Sequence, residues 1–308
     1  MKHYRSLAEI SLNACWLTIG SFDGVHRGHQ AIISQLVRAA RTAGEPAVVL
    51  TFFPHPAMVL RNRQDPLYLS TPEERAELLG ALGVDVVITY PFTLQVASQT
   101  ALEFMSEISR RIHPRHLLVG YDFALGRGRE GNVARLQAIG TELGYTLDVI
   151  SQIELEGEIV SSSQIRAALA DGNVLKASRL LGRAYQVSGE VVHGDGRGRL
   201  LGIPTANLEL WPFRVIPKAG VYACQAQIDG QTWKAVVNIG VRPTFDKQST
   251  VQHIEAHVLD LDEDLYGRQM QLAFIERLRD EQRFPSVEAL VEQIRQDIQH
   301  ARYNLSQL

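Results

Sequence analysis

The feature that most constrains this chain is a glycine-rich turn between an apolar segment and an amphipathic one. Residues 16–19 form an apolar run, which predicts a buried strand, and residues 18–29 have the sequence TIGSFDGVHRGH. Beyond the turn, apolar side chains recur with a helical period at Ile32, Ile33, Leu36, Val37 and Ala40. The sequence therefore predicts a strand, a tight turn and a helix, in that order.

Two histidines, His26 and His29, stand where this helix is predicted to begin, on one face of its first turn. A helix N-terminus has unpaired N–H groups and the positive end of the helix dipole, so it favours phosphate. The alternative is that both are ordinary polar residues of a helix start. Gly20 and Gly24, directly after a strand, favour the phosphate interpretation.

The composition bounds the class of protein. With 308 residues, 45% of them hydrophobic, the chain is long enough for two domains that each bury a core. A formal net charge of −3 argues against a nucleic-acid partner. Cys15 and Cys224 show no metal or redox spacing, and the sequence has no signal-like or membrane-length apolar run. We expect a cytoplasmic protein without a membrane partner.

Strand and helix patterns alternate through the first half of the chain. Further strands are predicted at residues 47–52, 84–88, 117–119 and 147–150. Helices are predicted at residues 71–83, 102–112 and 132–143. This alternation is typical of a parallel sheet covered by helices on both faces.

Three predicted strands end in unusual loops: the glycine-rich turn, residues 53–56 (FPHP) and residues 120–128. The two prolines predict an extended, rigid loop around His55, and a plain strand terminator is an equal alternative. Asp122 could accept a hydrogen bond from a ribose hydroxyl, or cap the next turn. Because parallel strands end at one edge of a sheet, where ligands bind, three such loops together predict a ligand site.

Residues 161–166 (SSSQIR) follow the last of these strands. Serines before an apolar helical pattern are typical of a helix N-cap. Arg166 lies one turn further on, and its guanidinium could clamp a departing pyrophosphate.

The pattern changes after residue 182. Short alternating strands at residues 185–191, 221–224, 233–238, 253–258 and 271–275 predict an antiparallel sheet or small barrel. Ser286 begins a last amphipathic helix. We therefore predict an α/β domain at residues 1–182 and a β domain at residues 183–308.

Polar loops in this second half are unusual for a structural barrel. The glycine- and arginine-rich residues 193–199 can fold over phosphates, and Thr205 and Asn207 offer the hard oxygens that suit Mg²⁺. The alternative is a glycine-rich hairpin followed by a proline turn. Glu255 shares a strand face with His253 and His257, where it is either a general base for a hydroxyl or a solvent-facing residue.

The chain closely resembles the bacterial bifunctional riboflavin kinase/FMN adenylyltransferases, or FAD synthetases, over about residues 16–298. The resemblance rests on motifs in the order of that family: GSFDGVHRGH, TFFPHP, VGYDFALG, SSSQIR, HGDGRG, LGIPTANL, NIGVRPTF, HIEAHVLD and LRDEQRF. Each motif is moderately specific, and the ordered set is very specific. The HxGH pattern alone is shared with other nucleotidyltransferases and with class I aminoacyl-tRNA synthetases.

The resemblance implies a Rossmann-like nucleotidyltransferase domain followed by a small riboflavin kinase-like barrel with a terminal helix. The second domain would phosphorylate riboflavin to FMN with ATP and Mg²⁺, and the first would transfer AMP from ATP to FMN, giving FAD and pyrophosphate. It implies no partners beyond ATP, riboflavin and FMN, and the expected oligomeric state is a monomer or weak homo-oligomer.

For the first domain, the resemblance implies that His26 and His29 stabilise the α-phosphate in transfer, while Ser162 and Arg166 hold the outgoing phosphates. The rest of the implied ATP site is Gly20, Phe22, Asp23, Gly24, Gly120, Asp122 and Phe123. The implied FMN-binding residues are Phe52, Pro54 and His55.

For the second domain, the resemblance implies that Thr205 and Asn207 bind Mg²⁺ and ATP phosphates, and that Glu255 activates the ribityl hydroxyl. Further residues implied at this site are Gly194, Arg197, Gly198, Gly202, Pro204, Asn238, Arg242 and Arg279. Departures from the family pattern, at Ser21, Ser163 and the pair Ala124-Leu125, concern substrate affinity more than reaction class.

Two other functions compete with a bifunctional enzyme. One is a flavin-binding or regulatory protein that has lost an activity, and the other is a single nucleotidyltransferase with an added barrel. The intact chemical groups of His26, His29 and Glu255 argue against the first. The second leaves residues 193–207 unexplained.

Overall fold

The computed structural model describes residues 1–62, 67–151, 154–155, 157–194, 198, 201–243 and 250–307. The chain divides into two compact units, Met1–Ser162 and Ser163–Leu308. The domain boundary predicted after residue 182 stays a prediction.

The first unit is built on a parallel sheet. The described strands of this unit are β1 (Lys2–Tyr4), β2 (Cys15–Ile19), β3 (Ala47–Phe53), β4 (Val86–Pro91), β5 (Pro114–Gly120), β6 (Thr146–Ile150), β7 (Glu154–Leu155) and β8 (Glu158–Ile159). The first six are ordered β1-β4-β3-β2-β5-β6 with every neighbouring pair parallel, while β7 and β8 pair separately. The predicted parallel sheet is confirmed.

Helices cover both faces of this sheet. They are α1 (Arg27–Ala43), α2 (Pro56–Arg61), α3 (Pro72–Ala81), α4 (Leu94–Ser98), α5 (Ala101–Ile112) and α6 (Val133–Leu143). Leu36 of α1 and Leu79 of α3 pack with Val49 on one face of β3, and Ile108 of α5 packs with Leu50 on the other. Successive residues of β3 thus pack into two different cores, which explains why β2 and β3 are almost entirely apolar, with Thr18 and Thr51 as the buried exceptions.

The loop predicted to be extended around His55 is instead the start of a helix. Phe53 ends β3, His55 has an extended backbone, and α2 begins at Pro56. Proline suits the first position of a helix because its φ is already helical and its missing N–H has no partner there. The His55 Nδ1 atom accepts a hydrogen bond from the Ala57 N–H at 3.1 Å, so the side chain caps the helix.

In its described residues, the second unit contains a closed antiparallel barrel and three helices. The helices are α7 (Ser162–Ala170), which begins at the last residue of the first unit, α8 (Val174–Leu181) and α9 (Val287–Leu305). The strands are β9 (Tyr185–Val192), β10 (Ala206–Leu210), β11 (Gly220–Ile228), β12 (Gln231–Pro243), β13 (Thr250–Val258) and β14 (Gln269–Arg279).

Of the two architectures predicted for this half, the barrel is confirmed. Its strands close in the order β10-β13-β12-β11-β14-β9, so the described strands leave no unpaired sheet edge. Ser286 caps α9 as predicted, and Ala301 of that helix packs against Val221 and Val236 on the barrel wall. Strand β10 was not predicted, although its sequence ANLEL alternates apolar and polar residues, because the segment around Pro204 was interpreted as a polar loop.

Candidate active sites

The two histidines of the glycine-rich turn are held together at the start of α1. His26 is the N-cap residue, and its Nδ1 atom accepts a hydrogen bond from the His29 N–H at 3.3 Å. Their rings stack with centroids 3.6 Å apart and planes 17° from parallel. A Cβ atom at Gly28 would lie 3.1 Å from His26 Cε1, so a side chain there would crowd the His26 ring. The predicted histidine pair at a helix N-terminus is therefore present in the structure.

His29 is electrically neutral at physiological pH. Burial lowers its pKa well below the ordinary value of 6.5, and the neighbouring His26 and Arg75 lower it further. A neutral imidazole has one N–H donor and one acceptor nitrogen. The buried His29 Nδ1 atom has no hydrogen-bond partner among the described residues. The neutral ring therefore keeps the capacity for one further hydrogen bond.

The buried side chain of Asp23 connects the glycine-rich turn to the loop before α3. Its side chain accepts hydrogen bonds from the N–H groups of Leu69 at 2.9 Å and Ser70 at 3.2 Å. The Ser162 hydroxyl donates to the Asp23 carbonyl at 3.0 Å, which brings the serine segment to the turn. Asp23 is only 1% exposed, so the geometry favours a positioning role over direct contact with ATP.

A cavity of about 550 Å³, the strand-end cavity, lies where three strands of the first unit end. It brings together five predicted residues, namely Gly20, Phe52, His55, Asp122 and Phe123. Pro54 is exposed and does not line it, although its neighbour Pro56 does. An adjoining hollow of about 400 Å³ is also lined by Asp122 and Phe123. Ligand binding at these residues stays a prediction.

The remaining predicted residues of this site lie around the histidines or on α7. Phe22 is buried and its ring meets the His29 ring edge-on, with centroids 5.1 Å apart. The Gly24 N–H donates to the Ser70 hydroxyl at 3.0 Å. Gly120 is the last residue of β5. Arg166 lies on α7 within the second unit.

In the barrel, three predicted residues stand side by side. Asn207 of β10 is the direct neighbour of Glu255 of β13, which in turn is the neighbour of Asn238 of β12. Glu255 alternates with the buried Ile254 and Ala256, as predicted. Its carboxylate lies 3.6 Å from His253 Nε2. An amide, a carboxylate and a second amide thus occupy adjacent positions on three strands.

Two cavities adjoin this row. The α9 cavity, of about 390 Å³, lies between the barrel wall and α9 and is lined by Gly198, Thr205, Asn238, Glu255, Arg279 and Ile294 among others. The acidic-loop cavity, of about 410 Å³, is lined by Pro204, Thr205 and residues 261–266 among others. Thr205 lines both cavities, whereas Glu255 lines only the α9 cavity.

Two glycines of the glycine-rich loop pack directly on the predicted metal ligands. A Cβ atom at Gly194 would lie 2.1 Å from Asn207 Nδ2. One at Gly198 would lie 2.4 Å from the Ile203 carbonyl oxygen and 3.1 Å from Thr205 Oγ1. Gly202 has a positive φ of 72°, which favours glycine. Close approach of backbone to Thr205 and Asn207 is thus the structural reason for this loop composition.

Arg279 connects the barrel wall to α9. Its guanidinium donates to both carboxylate oxygens of the buried Asp297, at 2.7 to 3.0 Å. The predicted substrate contact of Arg279 stays a prediction. Arg197 lies outside the described residues, and the side chain of Arg242 does as well, although its backbone belongs to β12.

Arg75 is a site residue that sequence reasoning missed. It is 0% exposed and donates from Nη1 to Thr51 Oγ1 at 2.9 Å. Its position in α3, four residues before the buried Leu79, placed a cation on the apolar face of a predicted helix. A charged side chain on the apolar face of a helix is unusual, and this pattern could have identified Arg75 from the sequence.

Comparison with known proteins agrees with this division of the chain. A family model for FAD synthetase matches residues 9–164, and one for riboflavin kinase matches residues 181–305. The bifunctional riboflavin kinase/FMN adenylyltransferase of Pseudomonas fluorescens is 43% identical over 94% of this chain and 92% of its own length. Its counterpart in Escherichia coli (strain K12) is 39% identical over 96% and 95%.

A solved structure also covers the chain. It is named as a macrolide-efflux protein from Streptococcus pneumoniae, has a TM-score of 0.87 and 31% identity, and the match spans 98% of each chain. In the part of this chain that the structure describes, no helix is both long and apolar enough to cross a membrane.

The fold and the two sites define a class, the nucleotide-dependent transferases that carry two transfer sites in one chain. Because a family model matches each half and the relatives cover nearly the whole length, the chain belongs to the bifunctional riboflavin kinase/FMN adenylyltransferase family. The FAD synthetase domain comes first and the riboflavin kinase domain second, and both predicted activities are confirmed.

Proposed function

We propose that the α9 cavity binds riboflavin and that the acidic-loop cavity binds the ATP that phosphorylates it. Thr205 lines both cavities, so it marks the place where donor and acceptor meet. Glu255 lines only the α9 cavity, and a general base must contact the hydroxyl from which it takes a proton. The presence of Thr205 in the walls of both cavities, and of Glu255 in only one of them, is the observation that carries this proposal.

In this arrangement Glu255 accepts the proton of the terminal ribityl hydroxyl. The hydroxyl oxygen forms a bond to the γ-phosphorus of ATP, while the bond from that phosphorus to the β–γ bridging oxygen breaks. ADP leaves and FMN remains. Reactions of this kind depend mainly on positioning and on stabilisation of negative charge, so no protein nucleophile is required.

Thr205 and Asn207 are the residues that would hold Mg²⁺, as predicted. Their hydroxyl and amide oxygens are ligands that Mg²⁺ prefers, and Gly194 and Gly198 pack against them. Among the described residues, no group of three or more His, Cys, Asp or Glu side chains forms a metal site. This donor set fits Mg²⁺, which commonly takes one or two protein oxygens and fills its other positions with phosphate and water. The metal would offset the charge of the triphosphate.

For FAD formation we propose that ATP phosphates bind at the start of α1 and that FMN occupies the strand-end cavity. His26 and His29 would stabilise the α-phosphate, with Ser162 and Arg166 on the departing phosphates. An FMN phosphate oxygen bonds to the α-phosphorus, and the bond to the α–β bridging oxygen breaks to release pyrophosphate. Support comes from the neutral His29 ring and from the positive end of the α1 dipole, at which both histidines stand.

The proposal also covers the location of the protein, its oligomeric state and its partners. We propose a cytoplasmic enzyme, a monomer or weak homo-oligomer, whose partners are small molecules. The free, buried thiols of Cys15 and Cys224 are typical of a reducing compartment.

A time course with purified protein, riboflavin, ATP and Mg²⁺ tests the reaction order, with the flavins separated by chromatography. We expect FMN to appear first and then to be replaced by FAD. FMN that accumulates without FAD would contradict the proposed site at the histidines. FAD formed only from added FMN would contradict the proposed site at Glu255.

A further inference from the structure

Arg75 is a buried cation without a full set of partners. Its guanidinium donates to Thr51 Oγ1 at 2.9 Å and to the Phe52 carbonyl at 3.3 Å, both from Nη1. Its Nη2 atom lies 3.8 Å from a carboxylate oxygen of Asp23. Nε and Nη2 have no hydrogen-bond partner among the described residues. A buried ion pair with such incomplete hydrogen bonding is a poor source of stability, so stability alone explains this residue weakly.

The contacts of Arg75 lead to both substrate sides of the proposed FAD site. Thr51 Oγ1, which accepts from Arg75, donates to the Ser21 carbonyl at 2.9 Å. Ser21 belongs to the glycine-rich turn, and Phe52 is the second-last residue of β3, the strand that leads to His55. Both Ser21 and Phe52 line the strand-end cavity. One guanidinium therefore fixes the backbone of two walls of that cavity.

The same hydrogen-bond network extends to residues 68–70, in the loop before α3. Asp23, the ion-pair partner of Arg75, accepts hydrogen bonds from the Leu69 and Ser70 N–H groups. The Tyr68 hydroxyl in this loop accepts from the His55 N–H at 2.6 Å. The turn, the strand end and the loop before α3 thus meet around Arg75.

We infer that Arg75 is a positioning residue for FAD formation, holding the nucleotide-side turn and the flavin-side strand end at a fixed separation. This inference rests on the proposed FAD site. Group transfer between two bound substrates is sensitive to their relative placement, and a displacement of about 1 Å can cost about a hundredfold in rate. Loss of the guanidinium frees both walls at once, so the apparent affinities for ATP and FMN change together.

The test uses the full-length enzyme with Arg75→Met, Arg75→Lys and, as a matched control, Leu79→Ala. Leu79 is buried one turn further along α3, so its loss destabilises the same helix without touching the two walls. We expect Arg75→Met to raise KM for both ATP and FMN and to lower kcat/KM for FAD formation by about a hundredfold. Arg75→Lys should recover part of this loss, because the ammonium can keep one of the contacts.

Two results would overturn the inference. One is a change in both KM values with Leu79→Ala as large as with Arg75→Met. The other is an Arg75→Met enzyme with a lowered melting temperature but unchanged KM values. Riboflavin kinase activity, measured in the same samples, should be equal in all variants.

If Arg75→Met does not fold, Thr51→Val serves instead, because it is close to isosteric and removes the hydroxyl that connects Arg75 to the Ser21 carbonyl. It should raise both KM values by about tenfold, and unchanged values would again contradict the inference. His29→Ala separates this inference from the proposal beneath it. If His29→Ala keeps FAD formation, the proposed site is wrong. If His29→Ala loses FAD formation while the Arg75 and Thr51 variants keep wild-type KM values, the proposed site stands and only the inference about Arg75 is wrong.

Discussion

Asn207 and Glu255 are directly paired neighbours on adjacent antiparallel strands of the barrel. Paired positions of this kind bring their Cβ atoms to about 5 Å of each other. A candidate metal ligand and a candidate base therefore stand close enough to act on one substrate hydroxyl and one phosphate. Residues 48 positions apart in the chain are brought together by the pairing of two strands.

Replacement of the carboxylate at this pair should separate the two activities. We expect Glu255→Gln to lower kcat for FMN formation by about 10²- to 10⁴-fold, because loss of a general base removes that much. FAD formation from supplied FMN should be unchanged. The matched control is His253→Gln, which alters the neighbour 3.6 Å away on the same strand face and should cost far less. Equal losses in both variants would contradict the role of Glu255.

A methyl group at Gly194 should act through Asn207. The added Cβ would lie 2.1 Å from Nδ2, so the amide must move from its present position. We expect Gly194→Ala to raise the Mg²⁺ concentration needed for half-maximal FMN formation by about ten- to a hundredfold, as seen when groups that orient a metal ligand are changed. Mg²⁺ titrations of this variant and of Asn207→Ala should shift in the same direction. A wild-type titration curve for Gly194→Ala would show that Asn207 holds no metal.

Removal of the second histidine should affect only the first unit. We expect His29→Ala to lower kcat/KM for FAD formation by about a hundredfold or more, because a preorganised hydrogen-bond donor to the transition state is lost. Arg27→Ala, which changes an exposed residue of the same helical turn, is the control. FMN formation should be normal in both. If His29→Ala also disabled the kinase in a folded protein, the division into two separate sites would be wrong.

Burial of a neutral His29 gives the first unit a pH-dependent stability. Its pKa lies well below 6.5 in the folded chain and near 6.5 when unfolded, so below pH 6.5 the unfolded state binds more protons. The stabilising contribution is complete above pH 6.5. It falls by at most about 1.4 kcal/mol per pH unit as the pH drops toward the folded pKa.

Urea unfolding at pH 7.5 and 5.5 measures this effect. The wild type should lose about 1 kcal/mol more than His29→Gln between these conditions. His300→Gln, at an exposed position of α9, is the control and should behave like the wild type. An equal loss in the wild type and His29→Gln would show that His29 does not titrate as its burial requires.

Much of the fold follows from periodicity in the sequence. The strand, turn and helix at residues 16–40 were predicted because apolar runs and helical spacing are local signals. The start of α2 was predicted wrongly, because the proline at residue 56 also suits a helix that a neighbouring side chain caps. The three residues of β1 are too few to show a period.

The candidate sites divide in the same way. His26 and His29 are close in sequence, so their stacking was within reach of a local argument. The row of Asn207, Glu255 and Asn238 depends on the alignment of three strands, which no local pattern determines. Arg75 acts through Thr51 and Asp23, at distances in sequence of 24 and 52 residues, so only the tertiary structure reveals its role.

Thr205 forms part of the wall of both barrel cavities. In the proposed arrangement, with riboflavin on one side of Thr205 and the nucleotide on the other, the phosphate of newly made FMN would remain at this shared wall, where the terminal phosphate of the next ATP would also have to bind. FMN that has not yet left and the incoming ATP would then compete for the space beside Thr205. The release of FMN would then limit the rate of the kinase. The FMN adenylyltransferase activity in the same chain would relieve this limit, because it consumes FMN.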